Sequence, residues 1–169
     1  AEVAEALRCE LVVNLQVDEP LIDPAAIDAA VASCADDASI MMSTLRCPLQ
    51  NVGDLHDPNV VKVAVDHNGY ALCFSRAAIG LSRTDDRLPS TSPVDKHIGL
   101  YVYRRPFLLT LAHLDQTPLE LAEQLEQMRA LEHGHRIMTT ATNHDSIGVD
   151  TPAELEHVRR LVADGVLYE

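Results

Sequence analysis

No Cys-x-x-Cys pair, no block of basic residues and no apolar run of the 18 or so residues that span a bilayer occurs in this 169-residue chain. Each absence excludes something. Cys9, Cys34, Cys47 and Cys73 are scattered, three of them within apolar stretches, so buried free thiols are expected rather than bridges or a zinc site. Thirteen Lys and Arg against 26 Asp and Glu leave a net charge of −13, which disfavours nucleic acid and anionic membrane as partners. With no apolar signal segment at the start and no membrane span, the expected compartment is the cytoplasm. No internal repeat, low-complexity segment or second domain is visible. What is present, 47% hydrophobic and 23% charged residues, suits one globular domain that buries about 70% of its unfolded surface.

The order of elements suggests an α/β fold. Glu2 to Leu7 reads as the tail of a helix running into Glu10 to Gln16, a Val- and Leu-rich strand expected to be covered on both faces. Asp23-Pro24 supplies an N-cap and a first-turn proline for an Ala-rich helix ending near Cys34, and Ser39 to Leu45 is the next strand. Val60 to Val65 and Tyr70 to Ser75 form a hairpin around Asp66-His67-Asn68-Gly69, where Asn-Gly supplies positive φ angles. Residues 77–95 are polar and suggest a surface loop and a lid. His97 to Tyr103 alternates like a strand, and Pro106 to Leu114 reads as a short helix. Thr117-Pro118-Leu119-Glu120 and Thr151-Pro152-Ala153-Glu154 open two further helices with the same capping device, the first ending at Gly134 and the second near Gly165. Between them His135 to Ala141 is a strand. The sum is an open, mostly parallel sheet with helices on both faces and one inserted hairpin.

Ligands of such sheets bind beyond the carboxyl ends of strands. Asp18 and Glu19 follow a strand directly. Asp150 precedes an N-cap that Thr151 already fills, so its carboxylate is free for a ligand. Two such carboxylates could converge on a hard cation such as Mg2+, which takes a few carboxylates together with phosphate and water. The alternative is a solvated turn at Asp18-Glu19 and an ordinary helix-start acid at Asp150.

The run Val13-Asn14-Leu15-Gln16-Val17-Asp18-Glu19-Pro20 resembles the N-x-Q-G-D-E-P motif of the 3-deoxy-manno-octulosonate (Kdo) cytidylyltransferases. The same order continues through Asp57 to Val63, Ala71 to Ala77, His97 to Arg104, Pro118 to Glu120, Leu125 to Arg129 and Gly148 to Pro152, so the resemblance spans residues 10–160. It implies a three-layer, Rossmann-like nucleotidyltransferase fold and attack of the anomeric hydroxyl of Kdo on the α-phosphorus of CTP. The products are CMP-Kdo and pyrophosphate, made for lipopolysaccharide biosynthesis by a homodimer whose contacts would come from the helices after Pro106. It implies Mg2+ held by Asp18 and Asp150 as the catalytic pair. It also implies sugar-acid recognition by Gln16, Arg76, His97, Tyr101, Glu126 and Gln127. Because phosphoryl transfer asks for placement and charge stabilisation, no nucleophilic Ser or Cys is expected.

The sequence departs from that pattern in places. The family's amino-terminal glycine-rich, basic stretch has no counterpart, so residues 1–169 read as the carboxyl-terminal portion of one nucleotidyltransferase domain without its phosphate-binding segment. Val17 stands where the family has Gly, and a β-branched residue is costly there if positive φ is required. Cys73 stands where an aromatic is common, and Asp145-Ser146-Ile147 lacks the family's Pro and Gly. Two further readings stay open: a relic that keeps sugar binding and dimerisation without turnover, and a cytidylyltransferase for another acidic sugar such as a sialic acid.

Overall fold

A computed structural model describes residues 1–80, 94–149 and 151–165. The chain runs α1 (Glu2–Ala6), β1 (Leu11–Leu15), α2 (Pro24–Asp36), β2 (Met42–Pro48), α3 (Val52–His56), β3 (Lys62–Val65), β4 (Ala71–Ser75), β5 (Val94–Arg104), α4 (Arg105–Leu111), α5 (Pro118–Glu123), α6 (Gln127–Glu132), β6 (Met138–Ala141) and α7 (Pro152–Asp164). The expected loop over residues 77–95 lies mostly outside the described residues, and Val94 and Asp95 already belong to β5.

Every strand has one place in a single six-stranded sheet of order β4-β3-β5-β2-β6, with β1 also paired to β5. The sheet is mixed rather than mostly parallel. β1, β2, β3 and β6 share a direction, but β5 runs against them from the centre, so only the β2–β6 ladder is parallel. The two faces of β5 account for the layers. Ile98, Leu100 and Val102 alternate onto one core, with Leu45, Cys47 and the buried stripe Ala26, Ala30 and Cys34 of α2. Tyr101 and Tyr103 alternate onto the other, with Phe74, Phe107, Leu125, Met128 and Ile137. Arg104 ties β5 to the end of α2 and the turn after it by donating to the carbonyls of Cys34, Asp37 and Ile40, of which Cys34 lies in the last helical turn, where no helical partner remains.

Four local expectations change. β1 is not covered on both faces: Val13 and Leu15 are 42% and 43% exposed, because β1 lies at an edge, bonded along one side to β5. In the hairpin only Gly69 adopts positive φ, +84°. Its N–H donates to the Asp66 carbonyl while the Asp66 carboxylate receives the amides of Asn68 and Tyr70, a type I turn with a glycine bulge rather than a mirror-image turn. The helix expected from Thr117 to Gly134 is broken at Gln124, which takes a left-handed conformation at φ 54° and ψ 47°. That break turns Leu125 and Met128 into the core and Gln127 into the interior, which one straight helix would not do together. Val17 shows no strain: its φ is not positive and its side chain is 99% exposed. The cysteines are free, with Cys34 and Cys47 buried as expected and Cys9 exposed.

One buried cation holds the loop before β3. Lys62 is fully buried, and its ammonium donates to the carbonyls of Asp57, Val60 and Arg76 at 2.5–2.7 Å, with burial pushing the amine below its ordinary range. Lys62→Met keeps the volume and leaves three carbonyls short of a charged donor, so it is expected to destabilise the fold by about 3 kcal/mol. Urea unfolding of the two proteins measures this, and equal midpoints would show that the ammonium is dispensable.

Candidate active site

A cavity of about 1220 Å³ opens where β1 and β3 part company. Both strands pair with the same edge of β5, β1 along Leu100–Arg104 and β3 along Val94–Lys96. Between them lie residues 97–99, whose backbone is satisfied from each side: His97 N–H donates to the Val61 carbonyl at 2.8 Å, and Gly99 accepts from the Gln16 N–H at 3.1 Å. Gly99 lets the Gln16 side chain lie close, since a β-carbon there would meet the Gln16 amide oxygen at 2.7 Å and push that side chain aside. The opening therefore lies beyond the carboxyl end of β1, and it receives side chains from both faces of the sheet.

Gln16, Asp18, Arg76, His97, Tyr101, Glu126 and Gln127, brought together from four parts of the chain, all line this one cavity. Asp150, the eighth residue expected, lies outside the described residues. Its neighbour Val149 donates its N–H to the Asp18 carbonyl at 2.9 Å, so the segment leading to it is fastened to the Asp18 turn.

The acidic end is built from Asp18, Glu19, Lys96 and Asp145. Asp18 Oδ1 and Glu19 Oε2 are buried and have no hydrogen-bond partner among the described residues. Glu19 receives the Gly99 N–H on its other oxygen at 3.3 Å, and burial pushes its carboxyl up against the opposing pull of the nearby Ser146 hydroxyl, of that N–H and of Lys96. Burial would push Lys96 down, but its ion pair with Asp145 at 2.7 Å outweighs this and leaves it raised; the same ammonium donates to the Ser146 carbonyl. Cys47, on the strand beside it, has its thiol pushed up to about 12 by burial and by Asp145, so it supplies no nucleophile. Among the described residues no three His, Cys, Asp or Glu side chains are arranged to hold a metal ion. A hard cation that keeps water and takes only one or two carboxylates is still matched by a buried, unpartnered carboxylate oxygen such as Asp18 Oδ1.

The other end is lined by uncharged donors and acceptors over aromatic rings. The Thr44 hydroxyl donates its single proton to the Leu100 carbonyl at 2.6 Å, so it must accept at 2.8 Å from His97 Nε2–H. His97 Nδ1 is then the acceptor. Burial lowers the imidazole from the ordinary 6.5 to about 3, which keeps it neutral. Its ring meets Phe74 edge-on at 5.0 Å and Tyr101 at 5.4 Å. Tyr101 is pushed well above the ordinary phenol range by burial, with Tyr103 and Glu126 adding to it, and stays a donor. Gln127 is buried and its Nε2 has no partner among the described residues. Arg76 is held by its neighbours: its Nε donates to the Glu123 carbonyl and one Nη to the Pro58 carbonyl, both at 3.0 Å, while Glu123 receives its backbone N–H at 2.9 Å. Arg129 also lines the cavity but is locked in a two-pronged pair with Glu120.

The residue list read from the sequence omitted Lys96, Asp145, Tyr103, Asn14 and Arg129, all of which line the same cavity. Tyr103 had a signal, since it follows Tyr101 by the two-residue period of a strand. Lys96 had none, because its partner Asp145 is 49 positions away.

A mixed α/β sheet with a polar cleft at a strand's carboxyl end, acids at one side and hydroxyl-reading groups at the other, defines an α/β ligand-binding domain of nucleotidyltransferase type. Residues 1–137 match the family described as Cytidylyltransferase, and the chain belongs to that family. It is 51% identical over 167 residues to the 3-deoxy-manno-octulosonate cytidylyltransferase of Solibacter usitatus, covering 99% of this chain and 65% of that protein. It is likewise 51% identical over 163 residues to that of Syntrophotalea carbinolica, covering 94% and 65%. The chain thus spans about 65% of the length of these relatives. Among solved structures it resembles a CMP:2-keto-3-deoxy-manno-octonic acid synthetase complexed with CTP, with TM-score 0.88 and 34% identity over 97% of this chain and 66% of that one. The fold alone is shared with the inositol-1-phosphate CTP transferase from T. maritima, with TM-score 0.60 and 17% identity over 95% and 58% of the two chains.

The depressed His97 has a measurable consequence for stability. Between about pH 6.5 and pH 3 the unfolded chain binds a proton at this ring and the folded chain does not, so acidification favours unfolding by about 1.4 kcal/mol per pH unit. His97→Gln, which can still donate to Thr44, is expected to remove that contribution. Comparing urea midpoints of both proteins at pH 7 and pH 5 reads it, and parallel slopes would mean that His97 is charged in the fold.

Proposed function

We propose that this chain carries the sugar-acid and metal half of a Kdo cytidylyltransferase, which joins CMP from CTP to Kdo and releases pyrophosphate. One observation carries the reading: seven side chains scattered along the sequence line a single cavity, and one of them, Asp18, holds a buried carboxylate oxygen that nothing described satisfies. The names of its relatives and the CTP of the related structure point the same way.

In this reading Asp18 and Asp150 hold Mg2+, which when bound neutralises charge on the triphosphate and polarises the oxygens around the α-phosphorus. The chain's own groups place the acceptor. His97 Nδ1 accepts from a sugar hydroxyl, Gln127 Nε2 and the Tyr101 phenol donate to sugar oxygens, and Gln16 does so from the rim. Arg76 offers its remaining N–H groups to the sugar carboxylate, while Glu126 accepts from a hydroxyl. Lys96 holds the 145–149 segment against β5, which keeps the backbone entering Asp150 fastened to the Asp18 turn. The same reading places the product in lipopolysaccharide synthesis in the cytoplasm and the protein in a homodimer. No described helix is long and apolar enough to cross a membrane.

The test is pyrophosphate release by the intact protein from CTP, Kdo and Mg2+, with a sialic acid as competitor. Kdo is expected to be used in preference. Asp18→Asn is expected to cut turnover roughly 100-fold or more, because it removes several kcal/mol of charge stabilisation, and to weaken Mn2+ binding measured by calorimetry. Asn at this site with undiminished turnover and Mn2+ affinity would mean that Asp18 is only a turn residue.

A further inference from the structure

The buried cation of β3 stands behind the cavity rather than in it. Lys62 does not line the cavity, yet each of the three carbonyls its ammonium holds belongs to a residue that does: Asp57, Val60 and Arg76. Lys62 lies opposite Ser75 in the β3–β4 ladder, and its ammonium reaches the Arg76 carbonyl just past the end of β4. The Asp57 and Val60 carbonyls bracket Pro58, whose own carbonyl accepts from the Arg76 guanidinium at 3.0 Å. The main chain of Arg76 and the turn that anchors its guanidinium thus hang on the same ammonium. From the other side Glu123 receives the Ser75 hydroxyl and the Arg76 N–H on its carboxylate, both at 2.9 Å, and the Arg76 Nε–H on its carbonyl at 3.0 Å. Two guanidinium N–H groups are engaged in this way, which fixes the plane of the fork and leaves the rest without a partner among the described residues.

A buried ammonium is costly to desolvate unless each of its protons finds an acceptor, and here each does. An apolar side chain would fill the same space without that cost. What the charge adds is three bonds of 2.5–2.7 Å that converge on one stretch of cavity wall. We propose that Lys62 is a positioning residue for sugar-acid binding: through the Arg76 carbonyl and the 57–60 turn it sets the direction in which the Arg76 guanidinium meets the ligand carboxylate. This rests on the reading above that Arg76 takes that carboxylate. A two-pronged guanidinium–carboxylate pair needs both planes aligned, so a shift of about 1 Å in the turn is enough to cost one of its bonds. Lys62 itself touches no part of the cavity and acts only through Arg76.

In the intact protein Lys62→Met is expected to raise KM for Kdo about tenfold, with kcat, KM for CTP and Mn2+ affinity each within about twofold. A merely structural role would move all four together. The probe of mechanism is the carboxamide of Kdo, in which a neutral amide replaces the carboxylate, read as a competitive inhibitor. Wild type is expected to bind it more weakly than Kdo, and Lys62→Met to bind it as wild type does. Arg76→Ala and the double variant complete a cycle, in which the double variant is expected to bind Kdo no more weakly than Arg76→Ala alone. Equal losses on acid and amide, additive losses in the cycle, or an unchanged KM for Kdo would overturn the positioning role and leave Lys62 as part of the fold. Arg76→Ala with undiminished Kdo binding overturns the parent assignment of Arg76 instead. Circular dichroism establishes that each variant is folded, and Lys62→Gln, which keeps two N–H donors, replaces Lys62→Met with the same outcomes where methionine is not tolerated.

Discussion

A strand edge can hydrogen-bond to one neighbour at each position, and two strands here claim the same edge of β5. β1 takes one stretch and β3 the other, and the chain hands over between them at residues 97–99. The arrangement works because each backbone group at the handover has somewhere to go: one loop carbonyl, one loop amide and one carboxylate. The same three bonds hold the walls of the cavity, so satisfying the backbone and shaping the site are one event. Lys62 performs the matching task from β3 by gathering carbonyls that would otherwise be stranded in the interior.

Much of this was legible in the chain. The caps at Asp23 and Thr151, the hairpin at Asp66 to Gly69 and the alternation of β5 are local chemistry and were read correctly in kind. At Thr117 the helix starts as expected and Glu120 receives the Thr117 N–H, but the Glu120 N–H goes to Glu132 and the threonine hydroxyl has no partner among the described residues. What misled were features decided at long range. The mixed sheet follows from where β5 inserts, which no local period reports. The split at Gln124 follows from the need to bury Leu125 and Met128 and present Gln127 together, against the preference of a capped, helix-forming stretch to run on. β1 reads as an interior strand by composition, yet two of its apolar residues stand at an edge. At Val17 the concern was strain, and the backbone there is ordinary, with the side chain pointing into the open.

The seven expected residues that line the cavity were picked out for a different reason. Their types and order matched a family pattern, and only folding could show that they share a cavity. Lys96 and Asp145 illustrate the limit: neither is unusual in its own stretch, and their role appears only once β5 and the loop before α7 lie side by side.

Charge closes the argument. Acids outnumber bases twofold in the chain, and the cavity continues that balance with Asp18, Glu19, Asp57, Glu126, Asp145 and Glu154 against three cationic side chains among the described residues. Among the described residues each of those cations is at least partly engaged, Lys96 with Asp145, Arg129 with Glu120 and Arg76 with backbone carbonyls. In the proposed reading a bound cation would offset the charge of the anions, and Asp18 Oδ1, buried and without a partner among the described residues, is where it would be held. The neutral His97 adds no charge to this cavity. Kept uncharged by burial, its Nδ1 is an acceptor that in the proposed reading would take a sugar hydroxyl.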